Sequence, residues 1–166
     1  MANFEAAFDE VIGLEGGYVN DPNDKGGETN WGIAKRWHPN VDVKHLSKEG
    51  AKQIYWNEYW NPLQLAVVLN DDIAAEIFEQ AVNMGRKQAA YHVQWSLGLL
   101  GEPVNVDGFL GQATSAAINK LGQARSLAFL KCANGFQFMK YLEIVTADPS
   151  QKKFFVGWLK RVAIHG

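Results

Sequence analysis

Cysteine is almost missing: Cys132 is the only one in 166 residues. That excludes a disulfide framework and a cysteine-based zinc site. Five prolines are too few for an extended Pro-rich segment, so each reads as a local break between elements. No apolar run approaches the ~20 residues that span a bilayer, so no membrane insertion is expected. Neither charge sign dominates: 16 Lys+Arg against 18 Asp+Glu give a net charge of −2. Bulk electrostatics therefore invites neither nucleic acid nor an anionic surface. The opening Met-Ala-Asn-Phe-Glu-Ala-Ala-Phe-Asp-Glu carries acids where a signal peptide needs a positive region and an apolar run. Synthesis as a soluble cytoplasmic chain without a signal peptide is the expectation. His38, His45, His92 and His165 show no metal-ligand spacing, and no P-loop or G-x-G-x-x-G occurs, so no metal or other cofactor is expected.

What remains is a composition that packs. Hydrophobic residues make up 47% and charged residues 20%, and a chain of this length can bury roughly 70% of its unfolded surface. Phe4, Ala7, Phe8, Val11 and Ile12 recur at helical spacing, with Asn3 as N-cap and Gly16-Gly17 as the stop. Ser47 caps a helix running through Tyr59, and Asn61-Pro62 ends it. Its W-N-E-Y-W-N-P run is aromatic enough to line a groove. Leu63 to Leu69 is an apolar linker, and Asp71-Asp72 suit the start of the next helix by capping and dipole. That helix carries Ile73, Ile77, Phe78, Ala81 and Val82 and ends at V-N-M-G, where another begins after Gly85. A long helix from Arg125 to about Ala147 follows, broken by Asp148-Pro149. In the last helix Phe154, Phe155, Trp158 and Leu159 are expected on the buried side.

The stretch from Glu15 to Ile33 is different in kind. It reads E-G-G-Y-V-N-D-P-N-D-K-G-G-E-T-N-W-G-I. The Gly pairs and the Asn-Asp-Pro-Asn cluster mark turns, because Gly reaches positive φ and Asn and Asp bond their own backbone. Tyr18-Val19 and Thr29 to Ile33 are strand-like, so a short hairpin is expected there. Glu15, in the last turn of the first helix, meets the negative end of the helix dipole, which raises a carboxyl pKa. A raised pKa is what a general acid needs near neutral pH. Asp21, Asp24 and Glu28 also serve as plain turn formers on a wet loop.

The pattern E-G-G-Y…P-x-D-x-G-G-x-T-x-x-G-I resembles glycoside hydrolase family 108, muramidases once described as secretion activators. It is also similar to the core of phage-type lysozymes, with the Thr29 spacer one residue shorter. The resemblance implies a mainly α, lysozyme-like α+β fold with one short hairpin after the first helix. It implies one compact domain over 1–166, with 1–88 the catalytic part and 89–166 a peptidoglycan-binding-like helical part packed on it. The implied activity is hydrolysis of the β-1,4 bond between N-acetylmuramic acid and N-acetylglucosamine, as in a phage or prophage endolysin or an exported muramidase. In that reading Glu15 protonates the leaving oxygen, and Asp24 positions water or stabilises the oxocarbenium-like transition state. Thr29 holds the attacking water or merely pairs across the hairpin. Tyr18 and Trp31 floor a sugar site or pack as strand aromatics.

Asn83 lies in the V-N-M-G piece that faces the catalytic glutamate in phage-type lysozymes, and Arg161 reaches back to Glu15 as a late arginine does there. Each also has a plainer reading, as helix-end chemistry and as a surface arginine. The piece V-N-V-D-G-F-L-G-Q-A-T resembles the D-G-x-x-G-x-x-T signature of small peptidoglycan-binding modules, with Asp107-Gly108 and Gly111 in a tight turn and Thr114 early in the next helix. The expected partner is the glycan strand of peptidoglycan, reached through a holin or a dedicated export route, with action at the wall after release. A monomer is expected. Two alternatives stay open: a lytic transglycosylase using Glu15 alone, and a non-enzymatic wall-binding or secretion-helper protein.

Overall fold

The computed structural model describes residues 2–13, 17–20 and 27–162. The first helix, α1 (Phe4–Phe8), continues as one π-helical turn over Asp9–Gly13. Asn3 caps it by accepting from Ala6 N at 3.2 Å. The Asn3 amide donates in turn to Asp71 Oδ1 at 3.0 Å, tying the start of α1 to the start of α3 (Asp71–Met84). Ser47 caps α2 (Lys48–Tyr55), which also ends in a π turn, over Trp56–Trp60.

These elements bury a set of interlocking aromatic rings. Phe8, Trp60 and Phe78 are wholly buried. The Phe4 ring lies 5.2 Å from Trp56 edge-on and 5.2 Å from Trp60, and Trp60 meets Phe78 edge-on at 5.7 Å. Each such ring contributes roughly 1.5–3 kcal/mol by burial, with the edge-on contacts adding to it. The W-N-E-Y-W run is thus largely core on its Trp60 side, and its Glu58 stays out and pairs with His38 at 3.1 Å.

Three short strands follow α1: β1 (Val19–Asn20), β2 (Glu28–Asn30) and β3 (Ile33–Ala34), all antiparallel in the order β1-β2-β3. The expectation of one hairpin is corrected here, because Thr29 to Ile33 is two strands and not one. Asn30 pairs with Ile33 across a two-residue turn made by Trp31 and Gly32. Both have positive φ, 51° and 75°, the backbone of the tight hairpin turn that matches strand twist. Gly32 also has no room for a side chain: a methyl there would lie 2.5 Å from Tyr55 Oη and 3.5 Å from Ile12 Cδ1. The end of α1, the β2–β3 turn and α2 therefore meet at one point.

Helix α3 is central, packing on α1, on α4 (Arg86–Leu99) and on α6 (Gly122–Ala147). Buried alanines at 74, 81, 89, 90 and 133 let these helices approach closely. Between α4 and α6 lies α5 (Gln112–Asn119), whose Asn119 side chain bonds Leu69 N and Val67 O, each at 2.9 Å. The chain closes with α7 (Lys152–Leu159). The expected buried side is only half covered: Phe155, Trp158 and Leu159 are partly buried, Trp158 stacking on Tyr141 at 5.3 Å, whereas Phe154 is 47% exposed. Among the described residues no helix is long and apolar enough to cross a membrane.

Candidate active site

The inner face of α6 sets polar side chains among Phe129, Leu130, Ala133 and Val145, where a packed helix is usually apolar throughout. Ser126, Asn134, Gln137 and Tyr141 are buried, whereas Leu127, Phe138, Met139 and Leu142 stand exposed. Burying amides costs free energy unless they are bonded, so they point to partners. Gln137 finds one on α3: its Nε2 donates to Glu79 Oε2 at 2.6 Å and lies 3.3 Å from Tyr141 Oη. The other carboxylate oxygen, Glu79 Oε1, accepts from Asn83 Nδ2 at 2.6 Å, and the same amide reaches the Glu79 carbonyl at 2.8 Å. A carboxyl group is thus gripped from both sides, one turn before the end of α3.

Its surroundings hold the proton on. Burial foremost, and then the charge of Glu76, push the Glu79 pKa up to about 7. The Gln137 bond and the Arg161 charge oppose this, and Glu10 on the π turn of α1 adds to it. Burial likewise lifts Tyr141 to about 12, with Glu79 reinforcing and Arg161 opposing. Gln137 Oε1 is buried with no partner among the described residues. A protonated Glu79 could donate to it after an amide turn, whereas a carboxylate only accepts.

Beside this pair runs a second polar chain. Gln88 donates to His92 Nε2 at 2.9 Å, His92 Nδ1 donates to Gln80 Oε1 at 2.7 Å, and Gln80 Nε2 donates to Glu76 Oε1 at 2.6 Å. Burial, helped by the Lys140 charge, drops the His92 pKa to about 4, so the ring is neutral with its proton on Nδ1. His92 is a satisfied core residue. Among the described residues no group of His, Cys, Asp and Glu could hold a metal ion.

Of the residues singled out from sequence, Asn83 and Arg161 converge on Glu79. The charge of Arg161 acts on Glu79 and Tyr141. Glu15 and Asp24 lie outside the described residues, as do Asp21 and its turn. Thr29 is the middle of the central strand, opposite Val19 on one side and Ala34 on the other. Tyr18 is 40% exposed, and burial and a hydroxyl bond to Glu28 raise its pKa. Trp31 is a turn residue, half-buried, with Nε1 donating to Leu46 O at 3.1 Å. The neighbouring Asn30 amide is buried, donating to Val43 O at 3.0 Å and Leu46 O at 3.2 Å.

Glu79, Gln137 and Tyr141 were not found from sequence. The signal was there: Ser126, Asn134, Gln137 and Tyr141 recur at helical spacing among Phe129, Leu130 and Ala133. Reading only the apolar residues of α6 gives a mixed answer, because Phe129, Leu130, Ala133 and Val145 are buried beside the amides whereas Leu127, Phe138 and Leu142 stand exposed.

The polar atoms of the Asp107 segment serve its own turn. Asp107 Oδ1 accepts from Gln94 Nε2 at 2.8 Å and from Phe109 N at 2.9 Å. Gln94 Oε1 accepts from the Asp107 and Gly108 amides at 3.1 and 2.9 Å. The Gln94 bond first, then that of Phe109, hold the Asp107 carboxyl below its ordinary range. Thr114 is buried in α5. What this turn offers to solvent is Phe109, 62% exposed.

Comparison with known proteins now bears on the site. Residues 8–85 match the family described as Glycosyl hydrolase 108. The N-terminal part of the chain is thus similar to glycosyl hydrolase 108 proteins. Residues 88–163 match a second model, described as "Predicted Peptidoglycan domain", so the two follow one another in the order the motifs imply. The chain is similar to the solved structure of Brucella abortus SagA, with 28% identity and a TM-score of 0.74, over 96% of this chain and 88% of that one. None of the curated proteins compared matches it. The two matches together support a peptidoglycan-acting glycosidase, and the fold is a mainly α one with a small sheet.

Proposed function

We propose that this protein is a muramidase of the glycosyl hydrolase 108 kind, cleaving the β-1,4 bond between N-acetylmuramic acid and N-acetylglucosamine. The observation that carries the reading is the family match over 8–85, which spans the E-G-G-Y motif, followed directly by a peptidoglycan domain. Residues 1–88 then form the catalytic part and 89–166 the wall-binding part packed on it.

Glu15 acts as general acid on the leaving oxygen. Asp24 positions water or stabilises the oxocarbenium-like transition state, and Thr29 helps to hold the water. Tyr18, beside Glu28 and partly exposed, contributes a sugar contact. Trp31 supports the sheet, with its indole N–H already engaged. The Glu79–Asn83–Gln137 group forms the wall of the site on the α3 and α6 side, with Glu10 and Arg161 completing its charge balance. The substrate puts the protein's work at the cell wall, acting as a monomer.

The experiment is mass spectrometry of the soluble products released from purified peptidoglycan by wild type and by Glu15→Gln. Reducing muramic-acid ends from wild type only are expected. Anhydro-muramic ends would make the protein a lytic transglycosylase and leave Asp24 without a part. Intact strands with wild type would refute cleavage and leave a wall-binding protein.

A further inference from the structure

The seam between the two matched regions holds a hollow of about 440 Å³. Leu63, Met84, Phe109 and Leu110 give it apolar walls, and Arg86 and Lys87 bring two cations to it. Met84, which lines the hollow, follows Asn83 in the last turn of α3, so the hollow and the Glu79–Asn83 pair share the end of that helix.

This hollow is built, not incidental. Gly108 has a φ of +73°, and a methyl there would lie 2.9 Å from Lys87 Cγ and 2.9 Å from Tyr91 Cζ. The absent side chain is what lets the Lys87 stem lie across the Asp107-Gly108 turn. The Lys87 ammonium then sits 5.8 Å from the Tyr91 ring centre. The buried Gln94 holds that turn by four hydrogen bonds, two of them to its backbone amides. Neither Arg86 nor Lys87 has an ion pair to a carboxylate among the described residues. Two cations, without a carboxylate partner among the described residues and beside apolar walls, suit a ligand with carboxylates on a short aliphatic backbone.

We propose that this hollow binds the stem peptide of peptidoglycan, with Arg86 and Lys87 taking its free carboxylates and Phe109 covering its aliphatic part. The inference rests on the muramidase reading, because the stem peptide hangs from the muramic acid next to the bond being cut. A glycan strand lying along the Glu79–Asn83 wall would bring its stem to the end of α3. The site thereby selects peptide-bearing strands over bare ones. It also gives the D-G-F-L-G turn a purpose that its internally bonded polar atoms do not supply.

The test is calorimetric titration of wild type and the Arg86→Ala/Lys87→Ala double variant with stem tetrapeptide freed from its glycan. A parallel titration uses the same tetrapeptide with its carboxylates amidated. Thermal unfolding confirms that both proteins are folded. Binding by wild type, weakened at least about tenfold in the double variant and lost with the amidated peptide, is expected. Absence of binding to wild type, equal binding by both proteins, or equal binding of the amidated peptide would each overturn the inference. Release of reducing ends from peptidoglycan by the same wild-type preparation is measured alongside. Its failure would count against the muramidase reading and not against the hollow.

Discussion

The two halves of the molecule solve burial in opposite ways. Around α1, α2 and α3 the core is aromatic, with Phe8, Trp60 and Phe78 wholly enclosed. Around α6 the helix turns amides and a tyrosine inward and leaves Leu127, Phe138 and Leu142 outside. The first arrangement stabilises without direction. The second works only if each buried group meets a specific partner: Ser126 and Asn134 bond carbonyls of their own helix, and Gln137 bonds a carboxyl of α3. Aromatic burial thus dominates around α1, α2 and α3, and the polar seam of α3 and α6 fixes the Glu79 carboxyl between Gln137 and Asn83.

The sharpest way to break this contrast is to remove a ring from each region. Phe78→Ala should lower unfolding free energy by about 3–5 kcal/mol, because it leaves a hole among Phe4, Tyr55 and Trp60. Phe154→Ala should cost less than about 1 kcal/mol, since that ring is 47% exposed. Urea unfolding of both variants decides it, and equal costs would mean that α7 is as much core as α3. The junction of α1, the sheet and α2 comes next. Gly32→Ala should cost about 2–3 kcal/mol, combining a positive φ with the clash on Tyr55 Oη. A variant as stable as wild type by the same measurement would show that the turn yields easily.

How far each half could be read from sequence follows the same division. Aromatic burial announces itself through helical spacing, so α1, α2 and α3 were legible with their caps at Asn3 and Ser47. The start of α3 at Asp71 was legible too. The sheet was legible as turn chemistry but not in detail, because Trp31 in a left-handed conformation defies its own strand preference. It is held there by a tertiary contact, the Tyr55 hydroxyl donating to Trp31 O at 3.3 Å. Glu79 escaped notice because nothing local marks it. Its character comes from Gln137, fifty-eight residues away, and from Glu76, Glu10 and Arg161 on other turns and elements. Asn83 was found for its motif, and its contact with Glu79 gives that motif a physical content.

The smallest effects expected are also the most diagnostic of the polar half, because its two titrating groups pull in opposite directions. His92 is lowered to about 4, so below pH 6.5 the unfolded chain binds a proton that the folded chain refuses. Its contribution therefore falls as pH drops from 6.5 towards 4. Glu79 is raised to about 7, so above pH 4.5 the folded chain keeps a proton that the unfolded chain releases. Its contribution falls as pH climbs from 4.5 through 7. Each is worth about 1–2 kcal/mol once the partial solvent access of the mostly buried Glu79 is allowed for. Between pH 4.5 and 6.5 the two slopes cancel, and wild type should show nearly flat stability there. Glu79→Gln removes one slope, so its urea midpoint should rise with pH across that window, while that of His92→Gln should fall. A wild type that already rises as steeply as Glu79→Gln would mean that Glu79 ionises at an ordinary pH. Burial beside Glu76 would then not be holding its proton, and the inward amides of α6 would be bracing a plain carboxylate.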